Sequence, residues 1–136
     1  MKTKCVLDTG PITLYYAKNP PLKIIDLFKK IKNHQIQSFV PTPVITEVFK
    51  HLCVANGKES AKTSIINLYE TLELEIVSLD HSLLIQAGQL KCRYPSKLSY
   101  IDCFGIAWAL LNKCEFHTTE KELPKIYSLK VIPYSF

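Results

Sequence analysis

Long apolar runs are missing: no stretch comes near the roughly 18 residues that a membrane-spanning helix needs. The basic start Met1-Lys2-Thr3-Lys4 is followed only by Cys5, Val6 and Leu7 before Asp8, too little for a secretory signal. A cytosolic protein without a membrane partner is expected. Cys-x-x-Cys pairs are absent too. The five cysteines, at 5, 53, 92, 103 and 114, are odd in number, which argues against a disulfide framework or a zinc ribbon and for buried free thiols. His51 and Cys53 form a His-x-Cys pair, but no second pair completes a tetrahedral site. No Gly-x-Gly-x-x-Gly follows the first apolar run, which removes a dinucleotide site. Arginine is nearly absent as well. Arg93 stands alone among 17 basic residues, so a polyanion would be held by lysine point charges rather than by bidentate base readout. There is no internal repeat, linker or low-complexity segment.

What is present describes a globular chain. Hydrophobic residues make up 47% and charged residues 21%, and 136 residues suffice for one domain, 1–136, with a proper core. The net charge of +5 favours a polyanionic partner.

Taken in order, Val6-Leu7 reads as a buried strand that ends in Asp8 and is stopped by Gly10-Pro11. Asp8 is then either a strand-end carboxylate or the cap of a helix that Pro11 opens. A short helix is expected over 13–17. Leu22, Ile25, Leu27, Phe28 and Ile31 mark the inner face of the next one, with Lys23, Lys29, Lys30 and Lys32 outside. Residues 36–40 read as a second strand, and Thr42-Pro43 as a helix start. That helix turns Val44, Ile45, Val48 and Leu52 inward, carries Glu47 in its second turn, and stops at Asn56-Gly57. A helix over 60–72, a strand over 74–79 and a helix over 82–94 follow. Asp80 caps the last of these, and Leu84, Ala87 and Leu90 continue its period.

Ser99 followed by Asp102 is a capping-box variant, a structural rival for Asp102. The helix that it opens is the longest apolar one. Its small Gly105, Ala107 and Ala109 would allow close packing on a sheet, and Trp108 is expected in the core with Ile101, Phe104 and Leu111. A strand at 115–118, a brief helix at 121–126 and a last strand at 129–132 complete the chain. Strands alternating with helices predict a three-layer α/β/α sandwich around a parallel sheet of about five strands.

Asp8 and Glu120 both follow strands, and Glu47 and Asp102 lie near the starts of helices. All four are expected on the carboxyl rim of the sheet, where open α/β folds bind ligands. Like charges gathered so closely raise one another's pKa unless a cation neutralises them, and hard oxygen donors suit Mg²⁺ or Mn²⁺. Without these four, 8 acidic residues remain against 17 basic ones, a balance of +9. An acidic pocket in a basic surface is what metal-assisted cleavage of a nucleic acid requires. Lys50 and Lys121, each near a proposed acid, are candidates for holding substrate phosphate.

The segments V-L-D-T-G-P at 6–11, T-E-V at 46–48, L-S-Y-I-D at 98–102 and T-T-E-K-E-L at 118–123 resemble, in order and spacing, the PIN-domain family, in particular its VapC-type toxin ribonucleases. The resemblance covers nearly the whole chain. It implies a metal-dependent endoribonuclease acting on RNA, often dimeric, with an antitoxin protein as partner. Asp8, Glu47 and Asp102 match the three core acids. Thr9 matches the hydroxyl residue after the first acid, and Thr118 the Ser or Thr before the fourth. At Glu120 the family usually has Asp, often with a second Asp two places on, where this chain has Glu122. The longer side chain bears on a second metal more than on the first.

The rival reading is an RNA-binding or docking module that has kept the fold and lost catalysis. A receiver-type phospho-acceptor domain fits poorly, because Asp8 lacks an acidic neighbour.

Overall fold

The structure, a computed structural model, describes residues 2–136. Five strands, β1 (Thr3–Leu7), β2 (Ile36–Pro41), β3 (Glu75–Val77), β4 (Glu115–Thr118) and β5 (Val131–Pro133), form a parallel sheet in the order β3-β2-β1-β4-β5 among the described residues. The helices are α1 (Thr9–Tyr15), α2 (Leu22–Lys32), α3 (Thr42–Asn56), α4 (Lys58–Thr71), α5 (His81–Arg93) and α6 (Tyr100–Asn112). They cover both faces of the sheet. Cys5 and Leu7 of β1 join the core built with α1 to α4, whereas Val6 joins the core of α5 and α6. Successive strand residues point to opposite faces, so a central strand with two covered faces must be apolar at consecutive positions. The expected three-layer α/β/α sandwich is what forms.

The strand order reverses at β1. From there the sheet runs to β2 and β3 on one side and to β4 and β5 on the other. The gap beyond the carboxyl ends of β1 and β4 is therefore the switch point at which such folds bind ligands.

Helix boundaries and faces depart from the sequence expectation in four places. First, α1 begins at Thr9 instead of residue 13. Gly10 and Pro11 fall inside its first turn, where a missing N–H is no loss. Second, α2 buries Ile24, Leu27, Phe28 and Ile31, a complete i, i+3, i+4, i+7 stripe, and leaves Leu22 84% and Ile25 40% exposed. Phe28 stacks on Tyr15 of α1 at 4.2 Å between ring centroids. α5 likewise turns Leu83 inward rather than Leu84.

Third, α6 lays its small side on the sheet. Gly105 is buried, and a Cβ there would stand 2.8 Å from the Phe116 ring of β4. Cys103, Ile106, Ala107 and Ala109 are buried beside it, so Phe104 and Trp108 are pushed to the flanks and Leu111 to the surface. Trp108 is half-buried against Phe39, 5.6 Å between centroids. Fourth, no helix forms over 121–126. Pro124 lacks an N–H and disfavours helical backbone at Leu123, and the segment runs irregularly to β5. The cysteines carry no disulfide, but burial holds for Cys5, Cys103 and Cys114 only, and Cys92 is exposed.

Candidate active site

Asp8 follows β1 directly and occupies the N-cap position of α1, yet its carboxylate makes no capping bond. Its amide donates to the His117 carbonyl of β4 at 2.9 Å, which ties the ends of the two strands together. The side chain is 4% exposed. Its Oδ2 accepts from the Thr118 hydroxyl at 2.8 Å, and its Oδ1 is buried with no hydrogen-bond partner. Burial pushes the carboxyl pKa up to about 7, with the charge of Asp102 adding to it and that of Glu47 adding less. The Thr118 hydroxyl opposes the shift, as does the Thr9 amide, which lies near without making a bond of good geometry.

Thr118, fully buried at the end of β4, links two of the acids. Its hydroxyl donates to Asp8 and accepts from the Glu120 amide at 3.0 Å, which fixes the chain where it leaves the sheet. Gly10 faces the same turn. A Cβ there would collide with the Thr119 side chain, so α1 and the segment carrying Glu120 approach this closely only because residue 10 is glycine.

Asp102 serves as the third residue of α6, where the capping role forms. Ser99 Oγ accepts from the Asp102 amide at 3.0 Å, and Asp102 Oδ2 accepts from the Ser99 amide at 3.1 Å. That capping box leaves Oδ1 uncommitted. The loop before α6 is itself held, because Lys91 donates to the carbonyls of Pro95 and Leu98 at 2.9 and 2.7 Å.

Glu47 comes from the second turn of α3, half-buried, and Glu120 from the exposed turn after β4. The Glu120 pKa is raised by partial burial, then by the charges of Asp102 and Glu47. Asp8 and Glu120 thus both feel Asp102 and Glu47, and the four carboxylates share one field. Asp8, Thr9, Thr13, Glu47, His51 and Glu120 line a crevice of about 180 Å³. Thr9 Oγ1 and Thr13 Oγ1, like Asp8 Oδ1, are buried without partners.

As the side chains stand, no three His, Cys, Asp or Glu residues are close enough to hold a metal ion among the described residues. Asp8, Glu47 and Glu120 line the crevice, Asp102 does not, and the four form no finished cage. The donor set nevertheless fits a hard divalent cation. It consists of carboxylates, and one oxygen, Asp8 Oδ1, is buried with its hydrogen-bonding capacity unspent.

The other candidates lie around this centre. Lys50 borders a hollow of about 400 Å³ with Glu47, His51 and Ile101, and Lys121 borders one of about 660 Å³ that also touches Glu120. Glu122 is exposed and lines no wall of the crevice. Thr13 was missed in the sequence. It sits one helical turn after Thr9 and so shares its face, a spacing that becomes visible once α1 is known to start at residue 9.

A family model for the PIN domain matches residues 5–129. The chain belongs to the PIN-domain family. Among solved PIN-fold structures, it is similar to VapBC2 from Rickettsia felis bound to a DNA fragment from its promoter, at 15% identity over 96% of this chain and 98% of that one, with a TM-score of 0.75. DNA-bound VapBC from Salmonella typhimurium is similar at 18% identity, 96% and 98% coverage and a TM-score of 0.73. VapC20 from Mycobacterium tuberculosis, a sarcin-ricin loop cleaving toxin, matches at 12% identity, 87% and 89% coverage and a TM-score of 0.67. At these identities the likeness is one of fold. No curated protein matches the chain in sequence.

Proposed function

We propose that this PIN domain is a divalent-metal-dependent endoribonuclease that hydrolyses RNA phosphodiester bonds, the toxin of a toxin–antitoxin pair acting in the cytoplasm. Family membership supports the reading, and one observation carries it. Asp8 keeps a buried oxygen without a partner at the switch point, where burial and the charge of Asp102 disfavour its ionised form. A carboxylate placed so costs stability until a cation joins it.

Asp8, Glu47, Asp102 and Glu120 would hold Mg²⁺ or Mn²⁺. Bound there, the ion supplies neutralising charge and Lewis acidity toward phosphate oxygens. The protein's own groups do the positioning. Thr118 and the His117 carbonyl fix Asp8, Ser99 orients Asp102, and Thr118 anchors the turn that presents Glu120. Lys50 and Lys121, beyond opposite walls of the crevice, would draw in the substrate's phosphates.

The toxin–antitoxin complexes among the similar structures support an antitoxin partner, and the family resemblance supports a homodimer. A monomeric mass at micromolar concentration would count against the dimer.

The second reading, an RNA-binding module without catalysis, is favoured by the open spacing of the acids and the exposed Glu120. Labelled single-stranded RNA incubated with Mg²⁺ or Mn²⁺ separates the two. Metal-dependent cutting that disappears in Asp8→Asn supports the nuclease. Folded wild-type protein that binds RNA and cuts it with neither metal overturns the nuclease in favour of the module.

A further inference from the structure

Two hollows beside the crevice extend beyond Glu120 and Lys121, the groups used above. The first, about 660 Å³, begins at Glu120 and is bordered by Lys121, Lys125, Ile126, Tyr127 and Tyr134. The second, about 400 Å³, lies between α5 and the irregular segment, bordered by Gln89, Arg93, Tyr94, Lys125, Ile126 and Tyr127. Lys125, Ile126 and Tyr127 belong to both, and Glu120 belongs to both the first hollow and the crevice. Crevice and hollows therefore adjoin through shared lining residues, a trough that runs along Glu120 and residues 125–127.

Its lining has a consistent chemistry. Lys121, Lys125 and Arg93 make no ion pair among the described residues, whereas Lys130 nearby is paired with Glu115 at 2.9 Å. Tyr127 is 93% exposed, a ring that contributes nothing to the core. Arg93, the only arginine, lies over the Tyr94 ring at 5.6 Å. The segment is a fixed surface despite lacking helix or strand. Leu123, Ile126 and Leu129 pack into the core of α5 and α6, and Ser128 takes a left-handed turn, φ 67°, directly after Tyr127. Unpaired cations beside an exposed aromatic ring, here Tyr127, are what a groove for single-stranded nucleic acid combines. Backbone phosphates meet the charges, and a base stacks on the ring. An apolar peptide would leave the three cations without counter-charge.

We propose that this trough takes the single-stranded nucleotides on one side of the bond to be cleaved, with Lys125 and Arg93 on phosphates and Tyr127 under a base. The inference deepens the nuclease reading and rests on it for the position of the cleaved bond.

The test is anisotropy of a labelled 12-nucleotide single-stranded RNA in EDTA, in parallel with cleavage in Mn²⁺. It compares the full chain with Arg93→Ala/Lys125→Ala/Tyr127→Ala, with Tyr127→Phe, and with Lys62→Ala as a control on α4. The triple variant is expected to bind roughly 10-fold or more weakly, with a salt slope smaller by about 1.4 for two lost phosphate contacts. Tyr127→Phe keeps the stacking face and should bind like wild type, as should Lys62→Ala. In cleavage, KM should rise while kcat stays.

Unchanged binding and slope in the triple variant, with cleavage intact, overturns the trough and leaves the nuclease standing. Weakened binding in a protein that never cuts RNA supports the trough as an RNA track while the nuclease reading falls. Unchanged RNA binding together with lost affinity for an antitoxin would make the trough a protein-docking face and overturn the inference.

Discussion

The acidic crevice has two walls built on different principles. On one side, Asp8 lines the crevice, and Asp102, which does not, acts on it by charge; both are buried at the ends of regular elements with one oxygen committed, Asp8 to Thr118 and Asp102 to Ser99. On the other side, Glu120 is exposed in a segment without helix or strand, held by a single bond from its amide to Thr118. Glu47, half-buried on α3, stands between these extremes. The fixed wall stores electrostatic strain that the fold must offset, and the loop wall stores almost none. A change in the first should therefore register in stability and activity together, and a change in the second in activity alone.

The sharpest way to test this contrast is Asp8→Asn. A carboxyl whose pKa is raised in the folded state favours folding most fully below its unfolded value, near pH 4. That contribution is lost as pH rises through about 7, where the buried group must ionise. Wild type in EDTA should thus lose stability between pH 4 and 8, and Asp8→Asn should not. By pH 8 the variant should be the more stable by as much as ~4 kcal/mol, from the size of the displacement. Thermal unfolding across that range measures it. Added Mn²⁺ should raise the melting temperature of wild type at pH 8 and leave the variant's nearly unchanged. Parallel curves for the two proteins would mean that Asp8 is not under strain.

Two further changes act on the fixed wall from behind. Gly105→Ala drives a methyl group into the Phe116 ring, and overpacking of this kind costs roughly 1–3 kcal/mol. Denaturant unfolding should show that loss, and cleavage should fall with it, since α6 carries Asp102. Ser99→Ala removes the capping bond at a cost of about 1 kcal/mol. The amide of residue 99 still donates to Asp102 Oδ2, so what is lost is the hold on the Asp102 main chain, and loss of such support typically costs metal sites 10–100-fold in affinity or activity. An activity loss much smaller than the stability loss would show that Asp102 acts only as a cap.

The sequence-level logic worked where one force dominated. Val6-Leu7 reads as a buried strand, and β1 ends there with Asp8 directly after it, at once strand end and N-cap position of α1. Capping chemistry also revealed Ser99–Asp102 and Asp80, whose side chain accepts from the Leu83 amide at 2.9 Å. It failed where tertiary contact outweighed local pattern. Leu22 and Leu111 look like core residues on a helical wheel, but the close approach of Gly105 to Phe116 and the stacking of Phe28 on Tyr15 decide which faces turn inward. Pro11 reads as a possible helix opener and sits harmlessly in a first turn, whereas Pro124 reads as tolerated inside a brief helix and prevents it. The crevice was legible in outline, as acids at strand ends and helix starts. Its actual spacing was not, because that depends on how closely Gly10 lets α1 approach Thr119.

The smallest stability effect belongs to Glu120, and there the comparison is most exposed to failure. Its side chain makes no hydrogen bond or ion pair among the described residues, so Glu120→Ala should change unfolding free energy by no more than about 0.5 kcal/mol, as for ordinary surface positions. Its effect on RNA cleavage should nonetheless be large if the fourth carboxylate faces the metal. Glu120→Asp sharpens the point. The turn is fixed only through the main chain, so the extra methylene of glutamate can be taken up by the side chain's own freedom. Aspartate there should leave cleavage within a few-fold of wild type and should shift which of Mg²⁺ and Mn²⁺ works better. If Glu120→Ala cuts RNA as fast as wild type, the loop wall contributes nothing to the chemistry, and the three carboxylates of Asp8, Glu47 and Asp102 must suffice.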